Sequence, residues 1–237
     1  MPNKAREKFK TYGNVFDNFT VASLKRLIGQ GHFTGLESPV SMGKEANIFT
    51  GRGKEGVVAV KIYRLEACDF NRMYDYLKFD VRYPSIKKGK RNIVFTWTQR
   101  EYRNLLNARE GNVTVPKPIT RINNVLVSEF IGNADTGEPA MKVKQHLPAD
   151  AGDFFEQVID NMRKLFQAGL VHGDLSEYNI LNLDNKAIFI DFSQSSSVKS
   201  SNAAELLHRD AHNIAKFFQK LGVKTDEKAI WDRVTKK

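Results

Sequence analysis

Asp174, Asn179 and Asp191 carry the side chains whose types and spacing could do chemistry. They stand in His172-Gly173-Asp174-Leu175-Ser176-Glu177-Tyr178-Asn179 and in Ile190-Asp191-Phe192. A loop can aim Asp174 at an incoming nucleophile, while Asn179, five residues on, and Asp191, on an adjoining strand, offer oxygen ligands to Mg²⁺. Magnesium prefers hard oxygen donors, taking a few from protein and the rest from phosphate and water. Phosphoryl transfer asks for this pairing of a group that orients the nucleophile's proton with a cation that neutralises developing charge. A lone Asp in a turn is more often a cap than a catalyst, and it is the three residues together that point to a reaction. His172 reads as a structural hydrogen-bonding residue.

The first half of the chain supplies a complement. Lys61 lies inside the apolar run Val57-Val58-Ala59-Val60-Lys61-Ile62-Tyr63. An ammonium among β-branched neighbours needs an anion to offset its desolvation, and phosphates or the carboxylate of Glu101 could serve. Upstream, Ser41-Met42-Gly43-Lys44-Glu45-Ala46-Asn47 stands where a phosphate-holding turn should be. It is not a Walker A loop, because Glu45 occupies the place of the Ser or Thr that would bind magnesium, and it does not match the G-x-G-x-x-G of ordinary protein kinases.

These residues must be positioned by elements that the apolar pattern outlines. Val21, Leu24, Leu27 and Ile28 share a helical face, with Thr20 available as N-cap. Runs rich in β-branched and aromatic residues predict strands around 48–50 and at 57–63, 93–97 and 125–130. Helices are expected at about 69–80 and from Thr98 to Arg109. From Asp153 a wide apolar stripe reaches Gly169, a natural helix stop. AIFIDF (187–192) reads as a buried strand, the serine-rich 193–202 as a loop, and a last helix runs from about Ala204 to Leu221. The order is strand-rich then helix-rich, dividing near Ile131-Gly132.

Composition narrows the classes further. The 237 residues are 41% hydrophobic and 11% aromatic with 7 Pro, which excludes disordered and collagenous chains. A single cysteine, Cys68, excludes a disulfide framework and a Cys-rich zinc site and reads as packing. The start has no apolar core of signal-peptide length and no run suits a membrane span, so a cytoplasmic location and no membrane partner are expected. The formal charge of +10 favours acidic partners such as nucleic acid and nucleotides.

SMGKEANIF, VAVKIY, REYRNL, LVSEFIG, HGDLSEYNIL, IDFSQS and HRDAHNIAKFF occur in order over residues 41–221. Together they resemble the RIO family of atypical protein serine/threonine kinases, its first subfamily, in the short form found in archaea. The resemblance implies an α+β, two-lobed protein-kinase-like fold. A short helical extension would occupy 1–40 and a strand-rich lobe 41–131, with a basic flexible loop at about 82–92. A helical lobe at 132–237 would lack an activation loop and a peptide-substrate platform. It implies ATP and Mg²⁺, with Mn²⁺ as a substitute, bound between the lobes. Lys61 would hold the α- and β-phosphates and pair with Glu101. Asp174 would be the catalytic aspartate, and Asn179 and Asp191 the metal ligands. Ser41, Gly43 and Lys44 would line the phosphates, and backbone groups of Glu129 and Ile131 would meet the adenine. Asp191 would also accept a transient aspartyl-phosphate, making ATP hydrolysis a conformational timer.

Departures from ordinary kinases sharpen this. Gly173 replaces the arginine that would clamp a phosphorylated activation loop, Ser193-Gln194 replace the glycine after Asp-Phe, and no Ala-Pro-Glu follows. Weak or self-directed phosphorylation, with ATPase-driven switching weighted above it, is the expectation. Ser128 stands beside the adenine where a larger side chain is more familiar, implying a roomier pocket. A small-molecule phosphotransferase of the aminoglycoside or choline kinase kind shares the HGD-x-x-x-x-N loop, but its large helical substrate domain has too little chain here. A degenerate nucleotide-binding assembly factor would have lost residues that are all present.

The resemblance further implies action on precursors of the small ribosomal subunit, with rRNA contacted through the stretch from Arg82 to Arg100. That stretch holds Arg82, Lys87, Lys88, Lys90, Arg91 and Arg100 without an acidic residue, interleaved with Tyr83, Phe95 and Trp97. Cations with aromatics suit RNA through counterion release and stacking. Neutralising Lys87, Lys88, Lys90 and Arg91 is expected to weaken binding to small-subunit precursor RNA and to flatten its salt dependence while ATP binding is retained. Unchanged affinity across a salt titration would refute this.

Overall fold

The structure is a computed structural model, and it describes residues 16–84, 86 and 89–236. Helix α1 (Asn18–Gly29) precedes strands β1 (Leu36–Met42), β2 (Ala46–Gly53) and β3 (Gly56–Tyr63). Helices α2 (Phe70–Phe79) and α3 (Lys90–Glu110) follow, then β4 (Pro118–Ile122) and β5 (Val125–Glu129). The five strands form one antiparallel sheet in the order β1-β2-β3-β5-β4. The sheet begins at Leu36, inside the segment expected to be a helical extension. The rest of that expected extension, residues 1–15, lies outside the described residues.

Alternation along β3 decides what faces where. Val58, Val60 and Ile62 are buried and pack with Val125 and Val127 of β5 against Leu24 and Leu27 of α1. Burying each such side chain contributes about 1.5–3 kcal/mol. A strand has a period of two, so this core face dictates that Ala59, Lys61 and Tyr63 project from the opposite face. Helix α1 starts earlier than Thr20. Asp17 is the cap, accepting from the amides of Phe19 and Thr20 at 3.0 and 3.1 Å. The Thr20 hydroxyl donates to the same carboxylate instead of capping.

The expected strand at 93–97 is helical. Ile93, Val94, Trp97, Glu101, Asn104, Leu105 and Ala108 are buried along one face of a 21-residue α3. The β-branched content of five residues misleads, and the 3–4 spacing sustained over twenty decides. This also shortens the expected basic loop. Lys90 and Arg91 open the helix and are exposed, with Lys90 over the Phe70 ring and Arg91 over the Phe19 ring. Lys87 and Lys88 lie outside the described residues. Arg82 and Arg100, expected among the RNA-facing cations, are instead turned inward, and the Arg100 side chain is fully buried.

The second half is helical. It comprises β6 (Met141–Lys142), α4 (Ala151–Gln167), β7 (Leu170–Val171), β8 (Ile180–Leu183) and β9 (Lys186–Phe189). A 3₁₀ turn at Phe192–Gln194, β10 (Ser196–Ser197), α5 (Ala203–Gln219) and α6 (Glu227–Thr235) complete it. The α4 stripe of Phe154, Phe155, Val158, Ile159, Met162 and Leu165 meets Phe217 and Phe218 of α5 and Ile230 of α6 in one core. The strands form two small sheets, β6-β8-β9 and β7-β10. Strand 187–192 therefore ends at Phe189, leaving Ile190 and Asp191 outside it. Among the described residues no helix is long and apolar enough to cross a membrane.

Cys68 packs between α2 and α3 and is 6% exposed. Its Sγ lies 3.2 Å from the Glu45 carbonyl, and burial, with the Glu45 charge beside it, pushes the thiol up to about 12. Since only the thiolate reacts, alkylation by iodoacetamide at pH 8 is expected to be at least about 100-fold slower in the folded protein than in denaturant. Comparable rates in the two states would contradict this placement.

Candidate active site

The outward face of β3 meets α3 and the segment that carries Asp191. Lys61 Nζ donates to Glu101 Oε1 at 2.7 Å and to Asp191 Oδ1 at 3.0 Å. Two residues along β3, the Tyr63 hydroxyl donates to Glu101 Oε2 at 2.5 Å. Burial alone would depress the Lys61 ammonium, but the carboxylates of Asp191 and Glu101 outweigh it and hold it well above its ordinary value. Burial raises Glu101 against the pull of Lys61. It works to raise Asp191 too, yet the Lys61 charge and the bonds from Lys61 and Ser193 bring that carboxyl down to about 2. The Asp191 side chain is 41% exposed, so the attraction and hydrogen bonds together outweigh its burial.

The loop carrying Asp174 is held from behind. Asp210 of α5 accepts from the amides of Gly173 and Leu175 at 2.7 and 2.8 Å. Asn213 donates to the Leu175 carbonyl at 3.1 Å, and Arg209 donates to that of Gly173. Gly173 takes φ +77, and a Cβ there would come within 3.0 Å of the Gln194 carbonyl, which is why no side chain stands at this position. His172 Nε2 donates to the Ile190 carbonyl at 3.0 Å, and burial lowers the imidazole to about 4, keeping it neutral. It is structural, as expected.

Within the loop, Asn179 Nδ2 donates to the Asp174 carbonyl at 2.8 Å and to Asp174 Oδ2 at 3.2 Å. This uses the amide nitrogen and leaves the amide oxygen for a ligand. Burial and the neighbouring Asp191 charge raise the Asp174 carboxyl, opposed by Arg209, Arg72 and Asn179. Asp191 has left-handed backbone (φ 63, ψ 67) and accepts from Ser193 Oγ at 2.8 Å.

A cavity of about 700 Å³ joins these groups. Ser41, Gly43, Lys61, Glu101, Asn179 and Asp191 line it together with Glu129 and Ile131. Asp174 stands just behind Asn179 and is not on the wall. Lys44 does not line the cavity either, and its side chain is exposed; at this place the wall is made by Glu45, whose carboxyl burial raises. Ser128 borders the cavity on β5. At the β5 end, the Glu129 amide is tied to the Lys117 carbonyl at 2.8 Å, and the Ile131 carbonyl to the Ala140 amide at 2.9 Å. The Glu129 carbonyl takes a long bond from its neighbour Ser128 Oγ at 3.5 Å, and with the Ile131 amide it makes an acceptor and a donor two residues apart.

The Asn179 amide oxygen and the Asp191 carboxylate are hard donors that fit Mg²⁺. Among the described residues no group of three or more His, Cys, Asp or Glu stands together as a metal cage, and a cation held by Asn179 and Asp191 would take its other ligands from phosphate and water. Sequence reasoning passed over Tyr63, although its place two residues from Lys61 on a strand was the signal. It also passed over Asp210, whose role arises only from tertiary approach.

Residues 47–230 match the RIO domain. The chain is 40% identical to the RIO-type serine/threonine-protein kinase Rio1 of Haloferax volcanii, over 98% of this chain and 80% of the relative. The same identity holds with Rio1 of Methanocaldococcus jannaschii, over 99% and 80%. The Rio2 kinase of Chaetomium thermophilum, solved as an ADP/Mg²⁺-phosphoaspartate complex, superposes with a TM-score of 0.68 at 20% identity, covering 90% of this chain and 65% of that one. The chain thus spans slightly less than two thirds of that structure, which shares its kinase-like fold. With a strand-rich half, a helical half and the RIO domain match across most of its length, this chain belongs to the RIO family of serine/threonine-protein kinases.

Proposed function

We propose that the cleft binds ATP with Mg²⁺ and transfers the γ-phosphoryl group, chiefly to the protein itself, in a switch that serves small ribosomal subunit maturation. The two halves, 41–131 and 132–237, act as lobes closing on the nucleotide. The observation that supports this most is the meeting of Lys61, Glu101 and Asp191 on one cavity, although 130 positions separate the lysine from the last carboxylate.

The Glu129 carbonyl and the Ile131 amide complement the amino donor and ring acceptor of adenine. Lys61, kept cationic by its two carboxylates, offers its third N–H to the α- and β-phosphates, and Ser41 at the end of β1 with the turn at Gly43 covers them. Lys44, exposed as it stands, reaches the phosphates only if that turn closes. When bound, Mg²⁺ neutralises charge developing between the β- and γ-phosphates. Asn179 holds Asp174 at the loop edge, where its raised carboxyl can take a proton from an entering hydroxyl.

Asp191 has a second role in this reading. One carboxylate oxygen attacks the γ-phosphorus, forming an aspartyl-phosphate, while the bond from that phosphorus to the bridging oxygen breaks and ADP leaves with the electron pair. Water then cleaves the acyl-phosphate, and the cycle amounts to ATP hydrolysis. A phosphoaspartate is recorded in the Rio2 complex. The charge of +10 and the exposed Lys90 and Arg91 suit an RNA-containing particle.

Asp174→Ala is expected to lower magnesium-dependent ATP turnover by about 10²- to 10⁴-fold, and Asp191→Ala to abolish it. Equal turnover in wild type and both variants would reject the catalytic reading. Incubation with γ-labelled ATP is expected to leave hydroxylamine-sensitive phosphate on wild type and none on Asp191→Asn. A label retained by that variant would overturn the acceptor role.

A further inference from the structure

Behind the cleft, Asp80, Arg82, Arg100 and Asn104 form a buried ionic cluster that none of the chemistry above uses. The Asp80 carboxylate is fully buried and accepts from Arg82 Nε at 2.8 Å and Nη2 at 2.6 Å. Arg100 Nε lies 3.2 Å from the same carboxylate, with its side chain fully buried. Two guanidinium groups thus share one carboxylate, and a positive charge is left over where Arg100 is fully enclosed and Arg82 is 24% exposed. Burial draws Arg100 down to about 10. A buried charge must find polar partners, and beyond Asp80 and Asn104 they come from the turn that follows Asp191.

Arg100 Nη2 donates to Ser196 Oγ at 2.6 Å and approaches the Gln194 carbonyl at 3.4 Å. Arg82 Nη2 reaches the Ser195 carbonyl at 3.3 Å, and its Nη1 donates to Asn104 Oδ1 at 2.7 Å. Asn104 Nδ2 in turn donates to the carbonyls of Phe192 and Ser195, both at 2.8 Å. Every carbonyl engaged lies within five residues after Asp191. Shifting the turn would strand a buried cation, and breaking such a cluster on one side leaves an uncompensated charge away from water.

We infer that Asp80, Arg82, Arg100 and Asn104 are positioning residues that clamp the Phe192–Ser196 turn and so present Asp191 to the metal. The clamp works through one helix. Glu101, which holds Lys61, lies next to Arg100 and one turn before Asn104. The same stretch of α3 therefore fixes both sides of the Lys61–Asp191 contact. Arg82 joins it from the chain between α2 and α3, so the arginine that opens the basic stretch supports the cleft.

This inference rests on the proposed nucleotide site, and Arg82→Ala tests it with two readouts. Hydrogen exchange of the nucleotide-free protein is expected to accelerate in a 192–198 peptide and to stay unchanged in β2 and β3. ADP affinity without metal is expected to stay within about twofold of wild type, while the gain on adding Mg²⁺ falls by about 10- to 100-fold, as for residues that orient metal ligands. Arg82→Lys, which keeps the charge and loses the fork, is expected to recover part of the gain, and it stands in if the alanine variant does not fold. Unaltered exchange at 192–198, or equal loss of ADP affinity with and without Mg²⁺, would overturn the clamp. Absence of ADP binding by wild type would instead sink the nucleotide site, leaving the exchange result to decide the clamp alone.

Discussion

The Lys61 ammonium, held between the carboxylates of Glu101 and Asp191, is the contact on which the rest of the cleft depends. It is 14% exposed, Glu101 is 3% exposed, and a charge so enclosed cannot be left without partners. Around it, burial acts on each ionisable group and is overruled only where a charge of opposite sign lies within hydrogen-bond reach. Lys61 stays protonated and Asp191 ionised, while Asp174, with an anionic neighbour, is driven the other way. Two carboxyl groups of the same kind are thereby assigned different protonation behaviour by their surroundings.

Several layers hold this arrangement. The apolar face of β3 turns Lys61 toward the cleft because Val60 and Ile62 must go the other way. The α5 carboxylate of Asp210 collects two amides of the loop that carries Asp174. His172 fastens that loop to the Ile190 carbonyl beside Asp191. The helical core lends little chemistry of its own; it supplies rigid points from which these polar supports reach the loops.

Much of the site was legible because its residues sit in short motifs on elements with clear periods. Lys61 in a β-branched run and Asp174, Asn179 and Asp191 at fixed offsets needed no tertiary information. The 93–97 segment was misread because β-branched composition over five residues competes with helical spacing visible only over the whole of α3. Arg82 and Arg100 read as surface charge because the carboxylate they share, Asp80, stands two residues before the stretch, and the carbonyls and hydroxyl that complete their shell lie about a hundred residues away. Lys44 was assigned by resemblance to a phosphate wall that Glu45 occupies. Charge pairing is a property of the folded neighbourhood, and a linear window does not contain it.

Helix α3 has one end in solvent and its middle in the ion-pair chemistry of the cleft. From Arg91 to Glu101 is under three turns, about 15 Å of stiff rod. The tip and Glu101 thus belong to one continuous helix, packed along the way against α2 and the turn after Asp191. Residues at the tip are thereby held at a fixed spacing from the lysine's counter-ion.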